Sequence, residues 1–443
     1  MTKHWFTSVL LLAIGVSGIV LLAVGVAGTA TAGEGDEDRA GGAVYTMTND
    51  PAGNAVVVFE RDADGKLEKS GTFPTGGTSI GVFATGNQDG LLLSDDGECL
   101  WAVNSKSDSI SAFQVNGTSL GGVNIVGSGG HRPISLTEHK QSELEDGDRD
   151  GRAKADWSHD RKDKIRGLLY VLNAGGQVAP TDSDNIAGFT VAQNCGLSSL
   201  AGSTQPLSAA STSPAEIGFN PSGRVLVVTE KTTNMITTYT VDDDGLPSAP
   251  ISQAAAGNEP FGFAFDKRGQ LLVTEASCST VPPPGNLPTC LVPPNKPALS
   301  SYKVAADGTL TLIDTSVDDQ AAKCWVVISS NQRFAFTVNA LADPQGGPGL
   351  PPAGSVTSYR VDPSGTLTNL GFTKVPVSPA GVPIDMALSR HSRFLYVLQE
   401  PDGVISAYKV GSNGGLSLFG TFAVTAGPPI VTGGPFPNGL AAR

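Results

Sequence analysis

Several kinds of residue are scarce in this 443-residue chain, and each shortage narrows what the protein can do. Histidine occurs only five times, in widely separated places, which excludes a metal centre built from several histidines. The 29 Lys and Arg are outnumbered by 42 Asp and Glu, giving a net charge of −13 that excludes a large basic surface for nucleic acid. The five cysteines include no Cys-x-x-Cys-His motif, which excludes covalently attached haem.

The one long apolar run lies near the N-terminus, at residues 6–27. Lys3 precedes it and Ala30-Thr31-Ala32 follows it, a pattern typical of an export signal cleaved after Ala32. The run is also long enough to cross a bilayer, so an uncleaved membrane anchor is the alternative to a cleaved signal. We expect residues 1–32 to be a signal and residues 33–42 to be an acidic flexible leader. The mature protein is then secreted or extracytoplasmic, with no membrane contact beyond the signal.

A short pattern recurs seven times along the rest of the chain, which is rich in Gly (55) and Pro (30). An aliphatic residue is followed three positions later by Phe or Tyr, and a turn containing Gly comes next. The pairs are Val56/Phe59, Ile110/Phe113, Ile186/Phe189, Ile236/Tyr239, Leu299/Tyr302, Val356/Tyr359 and Ile405/Tyr408. Seven hairpin signals of this kind predict one all-β domain over residues 43–443, a seven-bladed β-propeller with four-stranded antiparallel blades.

The two ends of this domain are predicted to complete one blade. Residues 44–48 have the pattern of a second strand with no first strand before it, and residues 437–441 that of a first strand with nothing after it. Pairing the two would remove an open sheet edge. A propeller closed in this way is expected to be a monomer.

The cysteines fit an oxidising compartment. Cys278 and Cys290 flank a Pro-rich loop, and we predict a disulfide between them. Cys99 and Cys195 lie near hairpin turns of neighbouring blades and are a second candidate pair. Cys324 lies within an apolar strand and is expected to be a small buried hydrophobic residue.

A charged insertion, residues 140–166, separates the first two strands of the third blade. Asp146, Asp148 and Asp150 alternate in it and a Gly follows, as in the first half of a calcium loop. The second half departs from the motif, because Trp157 stands where the bidentate Glu belongs. The loop either binds a structural calcium ion or is a solvated surface loop, and the sequence leaves both alternatives. No other cofactor is predicted.

Chemistry-bearing residues are predicted at the mouth of the central channel. The loops that lead into each first strand and those that leave each second strand share one face of a propeller, so residues far apart in sequence meet there. The candidates for substrate binding are Asn104, Asn173, Glu216, Lys231, Lys323, Trp325 and Asp385. The Asn and Glu residues after second strands also have a structural interpretation, as turn-forming residues that satisfy buried hydrogen bonds.

Three segments resemble the seven-bladed lactonase family, which includes the propeller 6-phosphogluconolactonases and the fungal-type carboxymuconate cyclases. They are GLLYVLN at 167–173, FNPSGR at 219–224 and the run 386–397. The resemblance covers nearly all of residues 43–443 and implies that a lactone is opened or closed in the mouth without a metal. Two motifs depart from the family: Pro214-Ala215-Glu216 replaces a Pro-Arg-His, and Glu230-Lys231 replaces an Asn-Glu.

We therefore predict an exported, metal-independent hydrolase of a small lactone. Glu230 or Glu275 is the predicted base, and Arg132 together with His131 is predicted to polarise the carbonyl. The alternative is a non-catalytic propeller that binds a glycan, a peptide or a partner protein on the same face. The missing Arg-His pair favours this alternative, whereas the crowding of Glu and Arg in one mouth favours the enzyme.

Overall fold

The computed structural model describes residues 41–81, 88–140, 165–175, 182–277, 296–340, 354–376, 382–400, 403–424 and 435–443. The predicted signal and leader up to residue 40, the Cys278–Cys290 pair and the Asp146–Asp150 loop lie outside these ranges. The described residues form 29 strands and no α-helix, arranged in seven antiparallel sheets. No helix in these ranges is long and apolar enough to cross a membrane.

The strands follow the predicted order, four to a blade except in the third. The first two blades hold β1 (Gly42–Met47), β2 (Ala55–Arg61), β3 (Leu67–Pro74), β4 (Leu91–Leu93), β5 (Cys99–Asn104), β6 (Ser109–Asn116) and β7 (Ser119–Gly127). The third holds β8 (Pro133–Lys140), β9 (Ile165–Asn173), β10 (Asn185–Ala192), β11 (Leu197–Ser199) and β12 (Gln205–Pro206), and the two short strands β11 and β12 both pair with β10. The fourth and fifth hold β13 (Pro214–Phe219), β14 (Val225–Glu230), β15 (Met235–Thr240), β16 (Ile251–Ala254), β17 (Pro260–Phe265), β18 (Gln270–Glu275), β19 (Ala298–Val304) and β20 (Leu310–Val317). The last two hold β21 (Lys323–Ile328), β22 (Phe334–Asn339), β23 (Ser355–Val361), β24 (Leu367–Lys374), β25 (Val382–Leu388), β26 (Phe394–Glu400), β27 (Val404–Val410) and β28 (Leu416–Ala423), and β29 (Asn438–Ala442) ends the chain.

The propeller closes on itself as predicted. β29 pairs antiparallel with β1, with Tyr45 opposite Ala441 and Thr46 opposite Leu440, so the terminal strands share the first blade. The innermost strands contact one another in the order β4, β8, β13, β17, β21, β25, β29 and back to β4. Each innermost strand of this ring therefore has a neighbour on both sides.

The repeated aromatic residues form the packing between blades. Each of the seven is at most 3% exposed: Phe59, Phe113, Phe189, Tyr239, Tyr302, Tyr359 and Tyr408. Burial of one such side chain contributes about 1.5–3 kcal/mol, so the repeat that predicts the fold also supplies much of its stability. In the third blade the left-handed turn residue is Cys195 (φ 68°) and not the neighbouring Gly.

The Cys99–Cys195 disulfide joins the second and third blades, which confirms that candidate pair. Trp101 Nε1 donates to the Cys195 carbonyl at 3.1 Å, so the bridge is packed into the interface between the two blades. Cys324 is a buried free thiol, as predicted.

Candidate functional site at the channel mouth

One backbone position has the same unusual conformation in four consecutive blades. The residue before each innermost strand is left-handed: Arg132 (φ 56°), Ser213 (50°), Glu259 (58°) and Ala322 (56°). A non-glycine residue rarely adopts this conformation, which costs free energy and is frequent at functional sites. The repetition shows that the backbone at these positions is fixed by the fold, so only the side chains differ from blade to blade.

The carbonyl of each left-handed residue accepts a hydrogen bond from the backbone N–H that follows the second strand of the same blade. The four donors are Ala174, Lys231, Ala276 and Ala340. Three of them are alanine, and only the fourth blade carries a long cationic side chain. At a position where the other three blades have alanine, the fourth blade therefore carries an ammonium group, that of Lys231.

Lys231 is half-buried among groups that hold and tune its charge. Its Nζ atom donates to the Pro214 carbonyl at 3.0 Å and lies 4.6 Å from the centre of the Phe261 ring. Burial lowers the pKa of Lys231 to about 8, the Glu259 charge opposes the shift, and the Arg132 charge adds to it. The charge of the ammonium group thus interacts with the charges of both side chains.

Arg132 is the second half-buried cation of the mouth. Its Nε atom is buried and has no hydrogen-bond partner among the described residues. Burial lowers the pKa of the Arg132 guanidinium, and the charge of Asp184 acts in the opposite direction. An unsatisfied donor on a desolvated cation is suited to bind an oxygen atom that carries partial negative charge.

His131 and Asp108 form a hydrogen-bonded pair beside Arg132. His131 Nδ1 lies 2.8 Å from Asp108 Oδ2, and Asp108 Oδ1 accepts the backbone N–H of Arg132 at 2.7 Å. The hydrogen bond and charge of Asp108 raise the pKa of His131 above its usual value. Asp108 was not predicted from the sequence, because it follows strand β5 in a polar turn without a distinctive motif.

Phe261 and Trp325 form an aromatic pair between the fifth and sixth blades. Their ring centroids are 5.2 Å apart, and Phe261 is half-buried whereas Trp325 is 3% exposed. Trp325 Nε1 is buried and has no partner among the described residues. The sequence pattern singled out Trp325 but not Phe261, which reads as an ordinary strand residue.

The two carboxylates predicted as the base, Glu230 and Glu275, are fully buried at the ends of β14 and β18. Glu230 accepts hydrogen bonds from the Ser208 backbone N–H (3.0 Å) and from Thr237 Oγ1 (2.6 Å). Glu275 accepts from the Gly257 N–H (2.8 Å) and from Ser300 Oγ (2.9 Å). A catalytic role for either residue stays a prediction, but these are the contacts of residues that stabilise turns.

Three predicted substrate-binding residues are likewise fully buried within the blades. Asn104 Oδ1 accepts from Thr75 Oγ1 at 2.7 Å, and Asn173 Nδ2 donates to the Ser128 carbonyl at 3.2 Å. Lys323 Nζ donates to Asp318 Oδ2 at 2.9 Å. The structure does not bring these three side chains into the open mouth, and their contacts support the structural interpretation.

Glu216 and Asp385 lie deeper, in the central channel. Glu216 Oε2 accepts a hydrogen bond from the backbone N–H of Phe263, in the fifth blade, at 2.5 Å. The Asp385 carboxyl, in the seventh blade, accepts one from the backbone N–H of Leu440, in the first blade. Burial raises the pKa of both carboxyls well above the usual range, and nearby Asp89 adds to both shifts. The two residues thus connect neighbouring innermost strands. Their predicted contact with substrate stays a prediction.

The segment Gly77-Thr78-Ser79-Ile80-Gly81 has the Gly-x-Ser-x-Gly spacing of a hydrolase nucleophile. Ser79 is 4% exposed, its Oγ donates to Asn49 Oδ1, and it shares a 2.8 Å hydrogen bond with Ser105 Oγ. These contacts make Ser79 a turn residue.

We take His131, Arg132, Lys231, Glu259 and Trp325, together with Asp108 and Phe261, as the candidate residues of the mouth. Within the described ranges, no group of three or more His, Cys, Asp or Glu is arranged to hold a metal ion.

Comparisons with known proteins agree with this fold. Residues 176–280 and 293–430 match a family model described as "Lactonase, 7-bladed beta-propeller". A 6-phosphogluconolactonase of Pectobacterium carotovorum subsp. carotovorum (strain PC1) is 28% identical over 121 residues, which are 27% of this chain and 32% of that protein. The match thus spans about a third of that relative's length.

Two solved structures share the architecture at low sequence identity. The periplasmic gluconolactonase PpgL of Pseudomonas aeruginosa has a TM-score of 0.63 and 14% identity, over 91% of this chain and 98% of that one. A functionally unknown protein of Desulfotomaculum acetoxidans DSM 771 has a TM-score of 0.58 and 13% identity, over 90% and 98%. At these identities the similarity shows the fold alone.

Proposed function

Because this chain belongs to the seven-bladed β-propeller lactonase family, we propose that it hydrolyses a small lactone at the channel mouth. The observation that carries the proposal is the neighbourhood of Lys231. Its ammonium lies over the Phe261 ring, and the charges of Arg132 and Glu259 shift its pKa. Two cations whose charges interact in a partly desolvated site would favour a ligand oxygen that gains negative charge during reaction.

Arg132 and Lys231 would bind the lactone carbonyl oxygen. Water attacks the carbonyl carbon, and the oxygen becomes negatively charged in the tetrahedral intermediate, where the two cations stabilise it. Collapse of the intermediate breaks the bond between the acyl carbon and the ring oxygen. The product is an open-chain hydroxy acid, and no further reactant is needed.

His131 would take the proton from the attacking water and return it to the departing ring oxygen. His131 Nδ1 would donate its hydrogen to Asp108 Oδ2, which leaves Nε2 as the base. The imidazole is 56% exposed, so water reaches it freely. Glu259 would keep Lys231 protonated, and Phe261 would pack against the ring of the substrate.

An extracytoplasmic location is part of the proposal. The N-terminal sequence has the pattern of an export signal, and the Cys99–Cys195 disulfide is of the kind that persists in oxidising compartments.

The test is a screen of purified protein against a panel of lactones, with a pH indicator to detect acid release. Lys231→Met is compared with Lys106→Met, since Lys106 Nζ also donates to a proline carbonyl, that of Pro51 at 3.1 Å. We expect Lys231→Met to lower kcat/KM by about 10²-fold or more, and Lys106→Met to leave it unchanged. Equal activity in both variants would remove Lys231 from the mechanism.

A non-catalytic module for glycans is the second candidate, favoured by the Phe261–Trp325 pair and its unpartnered Nε1 donor. The half-buried Phe261 ring can stack on a sugar ring. The absence of turnover on every lactone, together with saturable glycan binding that Phe261→Ala abolishes, would favour this function over hydrolysis.

A further inference from the structure

Side chains of the innermost strands form hydrogen bonds from blade to blade around the central channel. In three blades, a side chain of the innermost strand accepts a backbone N–H from the innermost strand of the next blade. The acceptor and donor pairs are Ser135 Oγ with Ile217 (3.2 Å), Glu216 Oε2 with Phe263 (2.5 Å) and the Asp385 carboxyl with Leu440. The corresponding residue of the fifth blade is Gly262, which has no side chain to offer the sixth blade.

Gln88, which precedes β4 of the second blade, supplies the missing acceptor from across the ring. Its Oε1 atom accepts the backbone N–H of Val326 in the sixth blade at 3.1 Å. Its Nε2 atom donates to the carbonyls of Phe263 and Val326, both at 3.1 Å. A Cβ atom on Gly262 would lie 2.7 Å from Gln88 Oε1, so the glycine leaves a slot that the amide fills. Residues 88–90, which we call the strap, therefore cross the central channel.

The strap forms the floor of the mouth between the fifth and sixth blades. Val326 directly follows Trp325, and Phe263 lies two residues beyond Phe261 on β17. Because each innermost strand begins at the mouth, the amide of Gln88 lies just below this aromatic pair. Removal of the strap would therefore deepen the mouth at this place.

Asp89, the second residue of the strap, is held there at a cost in free energy. Its backbone is left-handed (φ 58°), and among the described residues its carboxyl forms no hydrogen bond or ion pair. Desolvation in the channel raises its pKa to about 7. Burial and then the charge of Asp89 raise the pKa values of Glu216 and Asp385, and Asp385 Oδ2 is buried without a partner. No cation contributes to these three shifts, so an ionised Asp89 lacks a counter-ion.

We propose that the strap is a displaceable closure of the channel, that Gln88 is the built-in ligand of a carboxamide-binding slot beside Gly262, and that proton loss from Asp89 favours release of the strap. The slot presents one N–H and two carbonyl oxygens, which match the one acceptor and two donors of a carboxamide. The closed form has the higher pKa at Asp89, so closure is most stable below about pH 4 and weakens as the pH rises through about 7. The closure acts whether or not a lactone is hydrolysed in the mouth.

Hydrogen exchange at the Val326 amide measures the closure without any substrate. Rates are corrected for the intrinsic effect of pH, and the Ile217 amide is the control, because its acceptor Ser135 does not titrate. We expect the protection of Val326 to fall by about tenfold or more between pH 5 and pH 8, and not to fall in Asp89→Asn. Asparagine tolerates the left-handed backbone, so this variant keeps the strap conformation. The same pH dependence at Val326 and Ile217 in the unaltered protein would overturn the proposal.

A small amide provides the second measurement, in the variant Gln88→Gly. Acetamide should bind the vacated slot, saturably restoring the protection of Val326 and raising the thermal midpoint of this variant, whereas acetate at equal ionic strength should do neither. Gln332→Gly is the matched control, since Gln332 Nε2 also donates to backbone carbonyls, those of Ser329 (3.0 Å) and Ser330 (3.3 Å). Equal effects of acetamide on both variants, or no effect on folded Gln88→Gly, would exclude a carboxamide slot. If Gln88→Gly does not fold, the exchange measurement on Asp89→Asn decides alone.

Discussion

Asp108 Oδ2 lies 2.8 Å from His131 Nδ1, and the two residues come from the second and third blades. The other oxygen of the same carboxylate accepts the N–H of Arg132. One side chain thus orients both the imidazole and the backbone of the neighbouring cation, so a substitution there should alter both.

Asp108→Asn should lower the pKa of His131, since its hydrogen bond and charge raise that pKa. The base is the neutral imidazole, so the acidic limb of the kcat/KM profile should move to lower pH. NMR titration of His131 measures the shift without any substrate. An unchanged pKa would show that Asp108 does not tune this ring, whether or not a lactone is turned over.

Lys231→Arg should extend activity to higher pH. The mechanism needs a charged Lys231, whose pKa is lowered to about 8, so the rate should fall as the pH rises through that value. Arginine stays protonated there, and the alkaline limb should disappear even if the maximal rate drops. A limb near pH 8 that persists in this variant would assign it to another group, and Lys106→Arg is the matched control.

Asp385→Asn should stabilise the fold at neutral pH. Burial raises the folded-state pKa of Asp385 well above the unfolded value, so the folded protein binds the proton more tightly. Asp385 therefore contributes most to stability when the pH is below its pKa in the unfolded chain. This contribution is lost as the pH rises towards its pKa in the folded protein.

An asparagine can still accept a backbone N–H but does not ionise. We expect a gain of about 1 kcal/mol or more at pH 7, and none near pH 3. Denaturant unfolding at the two pH values measures it, with the exposed turn residue Asp307→Asn as control. Destabilisation at pH 7 would mean that the ionised carboxylate is required.

Reduction of the Cys99–Cys195 bridge should destabilise the protein, because the two residues are 96 positions apart. Closing a loop of this length restricts the unfolded chain, and a typical loss on its removal is about 2–4 kcal/mol. Urea unfolding of Cys99→Ala/Cys195→Ala against the unaltered protein measures it. An unchanged midpoint would assign the stability of this interface to the contacts around Trp101.

The sequence by itself determined the fold, since every blade repeats the same local chemistry. Aliphatic and aromatic residues three apart, followed by a tight turn, specify a strand with one buried face, and seven copies allow only a few architectures. The pairing of residues 44–48 with 437–441 was predictable for the same reason, because each end lacks the partner that the other supplies.

Tertiary structure alone decided which polar residues face the mouth. Glu230 and Lys231 are adjacent in sequence, yet Glu230 is fully buried in turn contacts whereas Lys231 reaches the Phe261 ring. Successive side chains of an extended chain point to opposite sides, and a bulge in β13, the innermost strand of the same blade, shifts the register there. Asp108 comes from a turn and Phe261 from a strand that only the closed ring brings beside Arg132 and Lys231, so no local pattern could reveal them.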